Sequence, residues 1–259
     1  MGKAVMTIYP IKAFQDNYIW AIHDGHHLLV IDPGDAQPVL DFCQRYQLVL
    51  STILITHHHH DHTGGIEALK RQFPNALVIG PNNPTISAID QVVGEGDTIT
   101  VNHPSVSFNV WAIPGHTLDH LAYIGELGLF CGDTLFHAGC GRLFEGSPQQ
   151  MLHSLSRLAQ LPSQTKVYCT HEYTQANLAF AQAVEPNNGE VSLTVAEVQA
   201  LRVDDRPTLP STIAEQLRIN PFLRCQQSSV QQAVAVWSKQ AYRDELATFT
   251  SLRQWKDQF

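Results

Sequence analysis

Short β-branched and aromatic runs, broken by clusters of Gly, Pro, Asn and Asp, fill the first two thirds of the chain. Residues 18–22, 28–32, 77–80 and 107–113 are such runs and read as buried or half-buried strands. The stretches near 17–32 and 122–132 each have the spacing of an antiparallel hairpin. Helices there are few, notably about 36–46 and 66–73, the second stopped by Pro74 and expected to be capped near Thr63. The opening segment, 1–10, reads as a first strand. Successive hairpins with occasional helices predict two mixed sheets packed face to face with helices outside. After about residue 172 the period becomes helical, over 177–184, 194–202 and 228–250. Breaks at Glu185-Pro186-Asn187-Asn188-Gly189 and Arg206-Pro207-Thr208-Leu209-Pro210 separate these segments. The expected division is a mixed α+β domain over 1–172 and a smaller helical domain over 173–259.

Composition narrows the classes of function. With 259 residues, 44% hydrophobic and 15% charged, the chain is globular and long enough to bury a sizeable core. No apolar run reaches the ~18 residues of a membrane span, and the N-terminal apolar stretch is too short for a signal peptide. Five widely spaced cysteines, an odd number, argue against a disulfide framework and for the cytoplasm. A formal net charge of −8 argues against nucleic acid as a partner, since that affinity comes largely from phosphate neutralisation. An anionic substrate would have to be held by a metal and a few placed Arg or Lys. A monomer acting on a small molecule, with no membrane and no nucleic acid, is the expectation.

The candidate chemistry is concentrated in residues 56–65, Thr-His-His-His-His-Asp-His-Thr-Gly-Gly, between a strand at 51–55 and the helix near 66. A histidine tag would sit at a terminus and would not hold an aspartate between a strand and a Gly-Gly helix start. His57 and His59 are two apart and point the same way in extended chain, while His58 and His60 face away and pack or hydrogen-bond. Asp61 and His62 follow the turn and can serve a second point nearby. Three other strand ends carry similar donors: His116 in Pro114-Gly115-His116-Thr117, Asp133 in Gly132-Asp133-Thr134, and His171 in Thr170-His171-Glu172-Tyr173. Together they supply five histidines and two aspartates, enough for two metals sharing one carboxylate. Cys140 lies close by, but no base is specified for it, and it reads as a packing thiol.

These motifs resemble the metallo-β-lactamase superfamily and, within it, the glyoxalase II (hydroxyacylglutathione hydrolase) family. Ala138-Gly139-Cys140-Gly141-Arg142, Asn220-Pro221-Phe222-Leu223-Arg224 and Arg253-Gln254-Trp255-Lys256-Asp257-Gln258-Phe259 extend the resemblance over nearly the whole chain. It implies a four-layer αβ/βα metallo-β-lactamase-like sandwich with a smaller C-terminal helical domain. By that resemblance His57, His59 and His116 bind one metal, Asp61, His62 and His171 the other, and Asp133 bridges them. Asp61 and Asp133 would then be the catalytic carboxylates, and Arg142, Tyr173, Arg253 and Lys256 the glutathione contacts. The implied cofactors are two divalent metal ions, zinc foremost, with iron and manganese suited by the same ligands. The implied activity is metal-dependent thioester hydrolysis, in which a metal-bridging hydroxide converts S-D-lactoylglutathione to D-lactate and glutathione in methylglyoxal detoxification. Phe144 departs from the family pattern where many members carry tyrosine, and Asp119 where they often carry glycine before His120; neither Asp119 nor His120 is given a role. A nuclease with the same metals, a mononuclear iron persulfide dioxygenase and a non-catalytic metal-binding module stand as alternatives. Against them are the acidic composition, the complete second ligand set, and the closed protein coordination that a structural site would need.

Overall fold

The computed structural model of the protein describes residues 6–240 and 244–259. The chain divides into two compact units, one of Met1–Ala112 with Asp119–Gly132, the other of Ile113–Leu118 with Asp133–Phe259. In the first unit β1 (Thr7–Ala13), β2 (Asn17–His23) and β3 (His27–Ile31) form an antiparallel meander. Helix α1 (Ala36–Tyr46) then returns the chain to β4 (Val49–Leu54), parallel to β3. Helices α2 (His60–Thr63) and α3 (Ile66–Gln72) lead to β5 (Leu77–Gly80) and β6 (Gln91–Val92), both parallel additions to the same sheet. The antiparallel run β7 (Thr98–Asn102), β8 (Ser105–Ala112), β9 (Leu121–Gly125) and β10 (Gly128–Gly132) completes this unit.

Local chemistry accounts for these elements. Asp35 caps α1 by accepting from the Gln37 amide, and Gln47 ends it in the left-handed region. Helix α1 buries Ala36, Val39, Phe42 and Cys43, positions three and four apart that share one face. They join Leu28, Val30, Ile53, Ile55 and Val78 in a single apolar core. Phe108, Tyr123 and Phe130 are fully buried on the β7–β10 run, and the Tyr123 hydroxyl donates to the Ile55 carbonyl at 2.5 Å. The hairpins expected near 17–32 and 122–132 are β2–β3 and β9–β10. The cap expected near Thr63 is not formed. Thr63 closes α2, its hydroxyl donating to the His59 carbonyl at 3.0 Å, and α3 starts from Gly65 without a side-chain cap.

The second unit opens with the short hairpin β11 (Leu135–Phe136) and β12 (Gly139–Cys140), then α4 (Pro148–Leu158). Helix α4 has a complete capping box, Ser147 with Gln150, and Pro148 in its first turn. β13 (Lys166–Cys169), α5 (Thr174–Val184) and α6 (Gly189–Val203) follow. β14 (Ser211–Thr212) pairs antiparallel with β13 before α7 (Ile213–Ile219), a 3-10 turn at Pro221–Leu223, α8 (Ser228–Ser238) and α9 (Glu245–Gln258). The helical stretch expected over 228–250 is thus two helices, α8 ending at Lys239 with φ 58°; positions 241–243 of that stretch, and 1–5 of the expected first strand, lie outside the described residues. Among the described residues, no helix is long and apolar enough to cross a membrane.

Where α5 gives way to α6, buried Glu185 accepts from Arg224 Nε at 2.7 Å and Nη2 at 3.0 Å, and from the Ser229 hydroxyl at 2.6 Å. Burial works against its charge, but the bonds from Arg224 and Ser229 outweigh it and hold the carboxyl below its usual range. A carboxyl depressed in the fold stabilises it above the unfolded value of about 4.3, and the contribution is lost as pH falls through the folded value. Glu185→Gln leaves Arg224 facing a neutral group, at an expected cost of about 3 kcal/mol and a Tm lower by roughly 6–12 °C. Thermal unfolding at pH 7 and pH 4 checks this: the gap between wild type and variant should narrow at the lower pH.

Candidate metal centre

In the first unit, β4 is anchored before its histidines begin. Asp32, just beyond β3 with φ 56°, accepts from the Thr56 amide and the Thr56 hydroxyl, both at 2.7 Å. With its proton given to Asp32, the Thr56 hydroxyl acts as acceptor toward His57 Nδ1, 3.0 Å away, so the network assigns the His57 proton to Nδ1. That tautomer turns the Nε2 lone pair toward His59 Nδ1, at 3.0 Å. Adjacent ligands on a tetrahedral ion with bonds of roughly 2.0–2.1 Å are about 3.3 Å apart, so this pair of nitrogens fits a metal. His62 is fully buried, with Nδ1 3.1 Å from Asp32 and Nε2 3.5 Å from Asp61. Asn17 donates to Asp61 Oδ2 at 3.0 Å. Gly34 is required beneath this turn, because a Cβ there would stand 1.8 Å from the Asp61 carbonyl oxygen.

The other histidines of the run alternate as expected. His58 Nδ1 lies 3.0 Å from Asp119 Oδ1, and the other Asp119 oxygen accepts from Asn83 at 2.8 Å. His60 is exposed. His120 lies flat against His57, ring centroids 4.5 Å apart, and its Nδ1 donates to the Leu121 carbonyl at 3.1 Å.

The second unit carries His116, Asp133 and His171. His116 Nδ1 donates to the Arg142 carbonyl at 2.8 Å, which directs Nε2 to Asp133 Oδ2 at 3.5 Å. His171 Nε2 faces the same oxygen at 3.2 Å. Tyr173 stacks on His171 at 4.6 Å with nearly parallel rings, and Phe136 meets both edge-on. Exposed Phe144 sets its ring edge-on to His116 at 5.2 Å.

Of the expected glutathione contacts, Arg142 and Tyr173 are accessible, with the Arg142 side chain 64% exposed. Arg253 is only 4% exposed; it donates to the Cys140 carbonyl at 2.9 Å and to Asp257 at 3.0 Å, and lies over the Phe222 ring. Asp257 also approaches Arg142 at 3.7 Å. Lys256 donates to the Ala176 carbonyl at 3.1 Å and sits against Phe180 and Phe259. Burial and then the neighbouring Arg253 charge bring its ammonium down to about 8. Burial pushes the Cys140 thiol up against the opposing Arg253 charge, which suits packing and not attack.

Sequence reasoning gave no role to Asp32, Asn17, Asp119 or Asp257. Asp32 had a visible signal: like Asp133, it ends a β-type run at a turn, in Asp32-Pro33-Gly34. The others meet partners 36 to 115 positions away in the chain, as in Asn83–Asp119, Asn17–Asp61 and Arg142–Asp257.

Strand-end His and Asp groups able to hold a metal ion, on a mixed α+β frame, define a protein of the metallo-β-lactamase fold. Residues 14–171 match the family model of the metallo-beta-lactamase superfamily, and residues 172–259 that of the hydroxyacylglutathione hydrolase C-terminus. The chain belongs to the hydroxyacylglutathione hydrolase family of metal-dependent thioester hydrolases. It is 52% identical to the hydroxyacylglutathione hydrolase of Aliivibrio salmonicida, over 98% of this chain and all of that one. The corresponding protein of Cupriavidus metallidurans is 50% identical over the same shares. Among solved structures, ETHE1 from Myxococcus xanthus superposes with a TM-score of 0.65 at 25% identity, over 97% of this chain and 99% of that one.

Thr56→Val keeps the shape of the side chain but removes the hydroxyl between Asp32 and His57. The fold should survive, while metal affinity falls roughly 10–100-fold, read as metal retained per chain during dialysis against graded chelator.

Proposed function

We propose that the protein hydrolyses S-D-lactoylglutathione to D-lactate and glutathione with two divalent metal ions, zinc foremost. The reading assigns His57, His59 and His116 to one ion, Asp61, His62 and His171 to the other, and Asp133 to both. The observation that carries it is Asp133 Oδ2 facing Nε2 of both His116 and His171, as a shared carboxylate should. When bound, such metals polarise the thioester carbonyl and make water nucleophilic at neutral pH.

The chain's own residues do the rest. The Asp32–Thr56–His57 relay and the Arg142 carbonyl on His116 hold two imidazoles with Nε2 as donor. Arg142, Tyr173 and Lys256 bind the glutathione moiety, and Arg253 serves the same face by holding Asp257 and the Cys140 carbonyl. No proton donor is needed for the leaving group, because a thiol of pKa about 8.5 departs readily as thiolate. In this reading 1–172 carries the metals and 173–259, joined by Arg142, binds substrate, a division supported by family matches over 14–171 and 172–259. A cytoplasmic monomer fits the composition.

Asp133→Ala should lose metal from both positions and abolish hydrolysis, whereas His171→Ala should lose mainly one ion. Elemental analysis beside the thioester assay checks this, and an Asp133→Ala protein with two metals and full activity would overturn the assignment. Lys256 is charged below about pH 8 and neutral above it, so KM for the anionic substrate should rise as pH passes that value while kcat changes little. Lys256→Met should show the high KM at all pH, and a KM independent of pH in both proteins would remove Lys256 from the binding face.

A further inference from the structure

The turn of the β2–β3 hairpin and the turn of the β7–β8 hairpin meet at one end of the first unit. The first supplies Asp24 and His27, the second His103. One ligand atom of each lies within 4.8 Å of the others, and the two imidazole rings are 4.8 Å apart. Asp24 is fixed by its own turn: Oδ1 accepts from the His26 amide at 2.9 Å and the His27 amide at 2.7 Å. Its second oxygen stands 3.6 Å from His27 Nδ1. Burial opposes the charge on this carboxyl, but the two amides outweigh it and the group is held below its usual range. The His103 backbone is tied down as well, since the Ser51 hydroxyl on β4 lies between the carbonyls of Leu28 and His103 and serves one at a time.

This cluster is separate from the candidate centre. His27 pairs with Val49 and Ile31 with Leu54, so the hairpin turn is at the opposite end of β3 and β4 from His57. Five steps of strand put roughly 17 Å between those ends.

We propose that Asp24, His27 and His103 form a peripheral site for a borderline divalent cation of the zinc class. Two imidazoles and one carboxylate are the ligand set of an open three-ligand zinc site, with water completing the tetrahedron. Calcium and magnesium are disfavoured, because they take oxygen ligands. His103 is exposed and His27 partly so, which gives the ion a path from solvent. The net charge of −8 also favours cation uptake. An ion here ties two hairpins together without touching the candidate catalytic turn. It therefore acts on stability and not on turnover.

The test uses the full chain, loaded with its own metals and desalted, then titrated with zinc chloride against a chromophoric chelator. Wild type should take up one further, weaker equivalent and gain in Tm as zinc is added. His27→Gln and His103→Gln should each weaken that uptake by roughly tenfold to a hundredfold and lose the zinc-dependent Tm gain, with unchanged thioester hydrolysis and unchanged Tm without zinc. His103→Gln alters an exposed side chain and keeps the experiment decisive if His27→Gln folds poorly. His26→Gln, at a neighbouring exposed histidine outside the cluster, should behave as wild type. A wild type that binds nothing beyond its first load would overturn the proposal. So would full uptake by the double variant, or a loss in His26→Gln equal to that in His103→Gln.

Discussion

A single buried carboxylate, Asp32, sets the chemistry of the strand-to-helix turn. Its two oxygens take the Thr56 amide and hydroxyl, and one of them also stands 3.1 Å from His62. Because both Asp32 oxygens accept, Thr56 is the donor, which makes His57 Nδ1 the next donor and leaves the Nε2 lone pair for a metal ion. Backbone position, hydroxyl direction and imidazole tautomer are thus decided by one side chain at the end of a neighbouring strand. The left-handed φ of Asp32 is the local strain accepted to put its carboxylate there.

The second unit solves the same problem with a carbonyl. Arg142 contributes its backbone oxygen to His116 while its side chain stays exposed toward Asp257. The C-terminal helix α9 is tied into that neighbourhood by Arg253, whose guanidinium reaches the Cys140 carbonyl and Asp257. An arginine and a lysine three apart in sequence therefore have different fates. Arg253 is buried and committed to the protein, and Lys256 keeps a shifted ammonium against two aromatic rings.

Much of the fold was legible because its signals are local. Helix α1 spans the expected 36–46, and β2–β3 and β9–β10 are the expected hairpins. The alternation of the histidine run also held, His57 meeting His59 and His58 turning to Asp119. Helix α4 was overlooked although its cap is written in Ser147-Pro148 and Gln150. The Thr63 cap failed because α2 intervenes and engages that hydroxyl, and the long C-terminal helix broke where Lys239 takes a left-handed conformation.

The sequence by itself determined the candidate donors: histidines and aspartates at strand ends, their alternation, and motifs dense enough to mark the family. Those features depend on residues a few positions apart, so chain geometry alone transmits them. Only the tertiary structure decided which nitrogen of His57 and of His116 carries its proton, that Arg253 is buried, and that Asp24, His27 and His103 converge. Each of these rests on partners brought together from 24 to 113 positions apart, such as Thr56 with Asp32 and Arg253 with Cys140. No local pattern encodes such a meeting, because the packing of distant elements sets it.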